Sequence, residues 1–411
     1  MTRRPKTLMV LGGSNWQTYM VEQARQMGFR TVVIDRNEAP PASVVADAFY
    51  PVDFSHVGEA IEVARREKVD GVATFGTNDA IVTVARIKEA LGLPSDCIPA
   101  DVALRAVYKH TMREDLAAGG VPIPAGRQLS GDDCRAEAER FFNDLRAPIL
   151  LKPSDNSGGK GITIVRGEEE IPAAVESAMR AARNGRVLAE EFVEGTVLGV
   201  ESITQGGRVI PIAIADKAMG PPPYCVTLGV IAPSALPEDV QRRVYEVNEA
   251  TIRALKIDTG PTHIDMVVDG DGTPKVIDVG PRLAGGPIIF EIIRRVMRVD
   301  MMAYVIRSAF GEIGPVEPRW TGLYAGSRHF TPGRSGVVES LSCPDNVLKR
   351  CRSTYLRFWK KPGDVVLPAT NDTHPIGFVV CLGDTFRKAQ DNLEAVAAGV
   401  ELVMRPAGGG S

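Results

Sequence analysis

The 411-residue chain is 44% hydrophobic and 24% charged with a formal charge of -3, a balance that excludes a basic nucleic-acid binder and offers no apolar run of membrane-spanning length. Its length asks for two or three domains. Six scattered cysteines without a Cys-x-x-Cys pair and five scattered histidines suggest neither a disulfide framework nor a zinc site, and the start MTRRPKTLMVLGG runs into a first strand, so a cytoplasmic location is expected.

Residues 7–100 alternate short apolar runs with amphipathic segments. Thr7 to Leu11 ends in Gly-Gly-Ser-Asn, Thr31 to Ile34 ends in Asp35, and Gly71 to Thr74 leads into Phe-Gly-Thr-Asn-Asp. Helices are expected over 16–27, 56–67 and 80–91. Strand, turn and helix in repetition predict a parallel sheet with helices on its faces. Ligands of such sheets bind beyond the carboxyl ends of the strands, which places Gly12 to Asn15, Asp35 and Gly76 to Asp79 along one edge. Gly12-Gly13 lacks the Gly-x-Gly-x-x-Gly pattern that lets a pyrophosphate approach a helix. A structural or substrate-facing edge is therefore favoured over a dinucleotide site.

A linker at 94–99 precedes a helical segment from Ala100 to Gly119, carrying Lys109, and another from Asp132 to Leu145. The stretch ILLKPSDNSGGKGITIV at 149–165 then reads as strand, Gly-rich loop and strand. Lys152 sits among apolar residues, where a lysine costs desolvation unless an anion meets it. The loop from Ser154 to Gly161 offers backbone N–H groups, a hydroxyl and Lys160, which is what phosphates require. It is not a Walker A loop, because Lys160 is followed by Gly161 and a strand.

VLAEEFVE at 187–194 is a strand ending in acids; Glu190, Glu191 and Glu194, read alone, belong to a solvated face. Strands over 200–204 and 209–215, a Pro-rich loop at 219–224 and a helix from about 237 to 255 follow. The stretch THIDMVVDGDGTPKVIDVGPRLAGG, Thr262 to Gly286, organises the rest. Its two β-rich runs flank Asp-Gly-Asp-Gly, a hairpin signal. With the turn between Asp271 and Gly272, Asp265 lies across from Asp278 and His263 across from Gly280 on one face, while Ile264, Met266, Val268, Ile277 and Val279 share the other. Carboxylates opposed across a ladder repel, so a shared cation is expected. A calcium loop is excluded: from Asp269 the sixth position is Pro274 and the twelfth Gly280.

Lys109, LKPSDNSGGKG, AEEFVEG and IDVGPR, in that order, resemble the ATP-grasp superfamily of carboxylate–amine ligases from about residue 7 to 400. The layout is most similar to the amino-acid ligases that make dipeptides, a likeness to which KPGDVV at 361–366 and the later LGDTFRKAQDN add. The resemblance implies an α/β N-terminal parallel-sheet domain (1–100), α+β ATP-grasp subdomains carrying the phosphate loop (101–186) and the hairpin (187–310), and a C-terminal α+β region (311–411). It implies an ADP-forming enzyme that uses ATP and Mg²⁺ to join a small-molecule carboxylate to an amine through an acyl phosphate, and that, like many relatives, forms a homodimer.

The same resemblance puts Lys109 and Lys152 on ATP phosphates, closes Ser157, Gly158, Gly159, Lys160 and Gly161 over them, and gives adenine to Glu190 and the backbone of Phe192 and Val193, with Glu194 near the ribose. Asp265 and Asp278 would take Mg²⁺, and two carboxylates suffice only when phosphates complete the octahedron, so metal binding should depend on nucleotide. Arg282 would serve the transferring phosphoryl and the acyl centre alongside Lys152 and Lys160, with His263, Glu201, Gly285 and Gly286 at the substrate. Three positions depart from the pattern: Asp278-Val279-Gly280 replaces Glu-x-Asn, Val197 replaces an acid, and Thr227 and Val230 stand where a Glu and a His are expected. A bicarbonate- or formate-activating enzyme and an ATP-binding module without turnover remain open. Arg328-His329 could meet a carboxylate, but a basic pair of this kind reads first as solvated, and the terminal AGGGS reads as a tail.

Overall fold

The computed structural model describes residues 4–94, 96–131, 133–156 and 158–406; Ser157 of the phosphate loop and the terminal AGGGS lie outside the described residues. Four parallel strands, β1 (Thr7–Leu11), β2 (Arg30–Ile34), β3 (Ala48–Tyr50) and β4 (Gly71–Thr74), form a sheet in the order β3-β2-β1-β4. Leu8 to Leu11 and Val32 to Ile34 are fully buried, because helices α1 (Asn15–Gln26), α2 (Val57–Arg66) and α3 (Ile81–Leu91) accompany the sheet as the strand–helix alternation predicts. Ser14 opens α1 with a capping box: its hydroxyl accepts from Trp16 N–H at 3.3 Å, and its own N–H donates to Gln17 Oε1 at 2.9 Å.

The helix expected over 100–119 is two helices, α4 (Ala100–Val107) and α5 (Lys109–Ala118). Tyr108 between them is extended, with φ -80° and ψ 116°, and the Lys109 N–H is drawn out of the helical ladder to Ser154 O at 3.3 Å. The break places Lys109 in the first turn of α5. Antiparallel strands β5 (Gly126–Ser130), β6 (Ile149–Pro153), β7 (Thr163–Val165) and β8 (Arg186–Glu191) form a small sheet in the order β5-β8-β6-β7. Leu129, Ile149, Leu151, Val187 and Ala189 bury one face of it beneath helices Cys134–Leu145 and Ile171–Ala181.

The chain continues through β9 (Thr196–Gln205), β10 (Arg208–Met219), β11 (Thr227–Ala232), β12 (Gly260–Val268), β13 (Pro274–Gly280), β14 (Tyr324–Phe330), β15 (Gly336–Ser342), β16 (Ser353–Phe358), β17 (Val365–Val366), β18 (Gly377–Gly383) and β19 (Glu401–Arg405). Eight of these make one sheet, β13-β12-β9-β10-β11-β14-β18-β16, and β17-β15-β19 make a third antiparallel sheet. The expected divisions therefore do not coincide with sheet boundaries: β8, beyond 186, belongs to the small sheet, and β14, beyond 310, continues the large one.

The hairpin β12–β13 has the expected register, Asp265 opposite Asp278 and His263 opposite Gly280. One expectation fails. The register shifts between Asp265 and Met266, which pairs with Val276, so the extra residue turns Ile277 out of the core and Val276 into it. A bulge adds a residue to one strand and reverses the alternation beyond it. Ile264, Met266, Val276 and Val279 pack with Val240, Val244 and Ile252 of the helix Glu238–Ala254. This apolar contact is the support on which the carboxylate face stands. Among the described residues no helix is long and apolar enough to cross a membrane.

Candidate functional site

The polar face of β12–β13 opens onto a cleft of about 600 Å³ that also reaches Gly158, Lys160, Arg282, Gly285, Gly286 and the strand ends of the N-terminal sheet. Gly12, Ser14, Asp35, Gly76, Thr77 and Asp79 line its N-terminal wall, so the edge anticipated from the parallel-sheet rule faces the hairpin. Contact there is close: a Cβ on Gly76 would meet Gly285 Cα at 3.0 Å. The two walls could not approach this far with side chains at those positions.

Both aspartates are ionised and already paired. Asp265 accepts from Lys217 Nζ at 2.6 Å and faces His263 Nε2 at 2.9 Å. Asp278 accepts from Lys109 Nζ at 2.7 Å. Burial alone would raise their pKa values, but the neighbouring cations, Lys217 and His263 for one and Lys109 and Lys152 for the other, hold both below the usual carboxylate range. Their side chains are 23% and 32% exposed, which leaves each an open side toward the cleft. His263 lies between Glu201 Oε1 at 2.6 Å and Asp265. Burial works against its charge, yet the two carboxylates lift its pKa from 6.5 to about 9, so it is an imidazolium at neutral pH.

Arg282 completes the cluster. Its Nη1 donates to Leu283 O at 3.3 Å, and its buried Nε has no partner among the described residues. Burial draws its pKa down while Asp278, Asp265 and Glu201 oppose the shift. The guanidinium covers Gly280: a Cβ there would lie 2.6 Å from Arg282 Cζ and 2.9 Å from both terminal nitrogens. The position where a third metal ligand is expected from the family pattern is thus the resting place of Arg282.

Lys152 and Glu190 lie behind the hairpin. The ammonium donates to Ile277 O at 3.3 Å and pairs with the Glu190 carboxylate, which also takes Arg113 Nη1 at 2.6 Å. Glu190 is 1% exposed, so the reading of that charge as a solvated one, made from its stretch alone, is replaced by a buried anchor for two cations. Lys109, Lys152, Glu190, Phe192, Val193 and Glu194 do not line the cleft. The Phe192 N–H is bonded to Pro148 O at 2.9 Å, and exposed Glu194 meets Arg166 at 3.2 Å. Glycines 158, 159 and 161 all take positive φ near 70°, which a loop presenting successive N–H groups requires. The loop rests on the C-terminal region, with Gly158 O accepting from Asp372 N–H at 3.1 Å.

Sequence reasoning missed Lys217, Arg113 and Asp372. Lys217 had a signal of the kind that singled out Lys152, a lysine following the apolar run of β10. His329, read as solvated, lines the cleft. Among the described residues no group of three or more His, Cys, Asp or Glu could hold a metal by itself. The donor set is two aspartates with open faces, and it fits Mg²⁺ only if phosphate and water supply the remaining oxygens.

Three families match successive parts of the chain: an ATP-grasp N-terminal domain over residues 21–95, an ATP-grasp domain over 107–286, and an L-amino acid ligase C-terminal domain 2 over 328–405. The chain is 26% identical over 358 residues to an uncharacterized protein of Sinorhizobium fredii, covering 86% of this chain and 71% of that one. It is 24% identical to a formate-dependent phosphoribosylglycinamide formyltransferase of Sulfurisphaera tokodaii, covering 96% of each. The crystal structure of an L-amino acid ligase from Bacillus licheniformis superposes with a TM-score of 0.80 at 22% identity, covering 98% of this chain and 100% of that one.

Proposed function

With the chain a member of the ATP-grasp ligases, served by ATP and Mg²⁺, we propose that it joins the carboxylate of an amino acid to an amine, with an acyl phosphate between and ADP and phosphate released. The observation that carries this reading is the convergence of Asp265, Asp278, Arg282 and Lys160 on one cleft, with Lys109 and Lys152 one layer behind. No Ser, Cys or His nucleophile is required, because acyl-phosphate formation is catalysed by positioning and charge neutralisation.

Lys109, Lys152 and Lys160, with the N–H groups of Gly158 to Gly161, would hold the phosphates. Asp265 and Asp278 would hold Mg²⁺, whose chemistry there would be to neutralise charge on the phosphates. Arg282 lines the cleft with a donor that has no partner among the described residues and would stabilise the oxyanion and the departing phosphate, a contact typically worth about 3 kcal/mol. Glu190 would orient Lys152, and its part at adenine, with Phe192, Val193 and Glu194 beside it, belongs to the same proposal. Glu201, His263, Gly285 and Gly286 would form the substrate side, and a cytoplasmic homodimer is the expected setting.

A second reading has its own support: the full-length similarity to a formate-dependent formyltransferase suggests activation of formate or bicarbonate. One experiment separates the two. The protein is incubated with ATP, Mg²⁺ and pairs from a panel of amino acids, and ADP, phosphate and the mass of the product are measured. Amino-acid-dependent ADP with a dipeptide mass is expected. ADP formation that needs only formate or bicarbonate favours the second reading, and release of AMP and pyrophosphate defeats the acyl-phosphate route.

A further inference from the structure

Among the cleft groups without a part in the roles above, two share one anchor. They are His329 and Asp372, at the end of the cleft built on β11 and β14. One residue, Thr227, positions both: its N–H donates to Asp372 Oδ1 at 2.8 Å, and its carbonyl oxygen faces His329 Nδ1 at 3.0 Å. A carbonyl oxygen can only accept, so Nδ1 carries a proton, and in the neutral ring the free lone pair is on Nε2. That Nε2 is buried and has no hydrogen-bond partner among the described residues. The rings of Trp16, Trp359 and Phe378 lie 6.4, 6.3 and 6.1 Å from the imidazole and fix its plane. Burial keeps its pKa below the ordinary histidine value. The ring of this cleft-lining residue therefore carries an acceptor that no described group uses.

Amide formation needs such an acceptor. When an amine attacks an acyl phosphate, the C–N bond forms, the acyl C–O bond to phosphate breaks, and phosphate leaves with the electron pair. The nitrogen, cationic after attack, must shed one proton. Around the hairpin, Asp265 and Asp278 are held by lysines, and both ring nitrogens of His263 face carboxylates. We propose, on the reading of the chain as a carboxylate–amine ligase, that His329 Nε2 takes this proton and that the β11–β14 end of the cleft receives the amine. Asp372 is a positioning residue that holds Thr227, and through it the ring.

The test compares two nucleophiles in the full chain. Hydroxylamine is uncharged and nucleophilic at neutral pH and traps an acyl phosphate as a hydroxamate with little need of a base, whereas an amino acid amine depends on one. His329→Gln is assayed for amide and for hydroxamate with the amino acid that best drives ADP release. The amide-to-hydroxamate ratio is expected to fall about 100-fold or more, the range of general-base contributions. If amide and hydroxamate fall together, His329 serves only the fold or the first step and the proposal is overturned; an unchanged ratio at full activity overturns it equally. If the wild-type chain forms neither hydroxamate nor ADP with any amino acid, it is the ligase reading that fails.

Discussion

The substitution Gly280→Asn puts two demands of the site against each other. An asparagine side chain is what the family pattern places at this point of the closing strand, where it would add a third oxygen ligand to the metal. Here the space belongs to Arg282, whose Cζ would lie 2.6 Å from the new Cβ. Ordinary van der Waals contact begins near 3.4 Å, so the guanidinium must retreat by about 0.8 Å for a methyl group alone, and further for a carboxamide. The guanidinium is the tip of a flexible side chain, and Gly280 does not need a left-handed backbone, so the cost to the fold should be small, about 1 kcal/mol or less. The cost to catalysis should not be. A donor displaced from a developing oxyanion loses about 3 kcal/mol, or about 100-fold in kcat. ADP release measured against amino acid and Mg²⁺ concentration, with a thermal melt in parallel, reads both effects. A tighter Mg²⁺ dependence with kcat down about 100-fold and an almost unchanged melting temperature is expected. A kcat within threefold of the wild type would refute the placing of Arg282 at the reacting centre.

Asp265→Asn and Asp278→Asn should each reduce Mg²⁺-dependent ADP release about 100-fold or more while circular dichroism keeps its native form; near-normal rates in either would overturn the metal assignment. Glu190→Gln leaves Lys152 and Arg113 in a site that is 1% exposed, so a loss of about 3 kcal/mol in stability is expected from thermal or urea unfolding, together with a raised KM for ATP. A stable variant with only an altered base preference would restore Glu190 to an adenine role alone. His263 gives a pH signature in protein free of metal and nucleotide. Its folded pKa, about 9, lies above its ordinary 6.5; the stabilisation is therefore complete below about pH 6.5 and is lost as pH rises through 9, at most about 3 kcal/mol in all. His263→Gln should flatten the stability profile between these limits, and a slope that survives the substitution would assign it to another group.

Local rules carried the reading where the chemistry lies on contiguous residues. The hairpin register followed from a Gly-rich turn and two-residue alternation, and it put Asp265 opposite Asp278 as found. The same rule misplaced Ile277, because the bulge after Asp265 reverses the alternation and leaves no mark in the composition of the strand. The break at Tyr108 is set by Ser154, which takes the Lys109 N–H from 45 residues away in the chain. Charges were the least legible. Arg113 sits in a run of Glu and Asp on α5 that looks like solvated surface, and only the fold brings it to Glu190, 77 residues on. His329 meets Thr227 because β11 pairs with β14, a pairing between strands that no short motif announces, and Asp372 reaches the same residue from the loop between β17 and β18.

The lysines paired with the hairpin's aspartates explain why metal and nucleotide should bind together. Without nucleotide, Lys217 and Lys109 neutralise Asp265 and Asp278 at 2.6 and 2.7 Å, so the repulsion that first drew attention to the pair is already relieved within the protein. A lone cation entering between the carboxylates would leave partly buried ammonium groups, 12% and 6% exposed, beside it without counter-charge. Phosphates arriving with the metal supply that counter-charge, and the two equilibria become coupled, reciprocally and by the same factor. Lys217→Met tests the coupling at its origin. Removing the ammonium beside Asp265 should strengthen Mg²⁺ binding in the absence of nucleotide by about tenfold, a modest share of the Coulomb interaction at this range, and should weaken the dependence of Mg²⁺ affinity on ATP. Calorimetric titration of Mg²⁺ with and without a non-hydrolysable ATP analogue measures both. If the nucleotide-free affinity is unchanged in the variant, the lysine does not compete with the metal, and the dependence on nucleotide must arise from missing ligands alone.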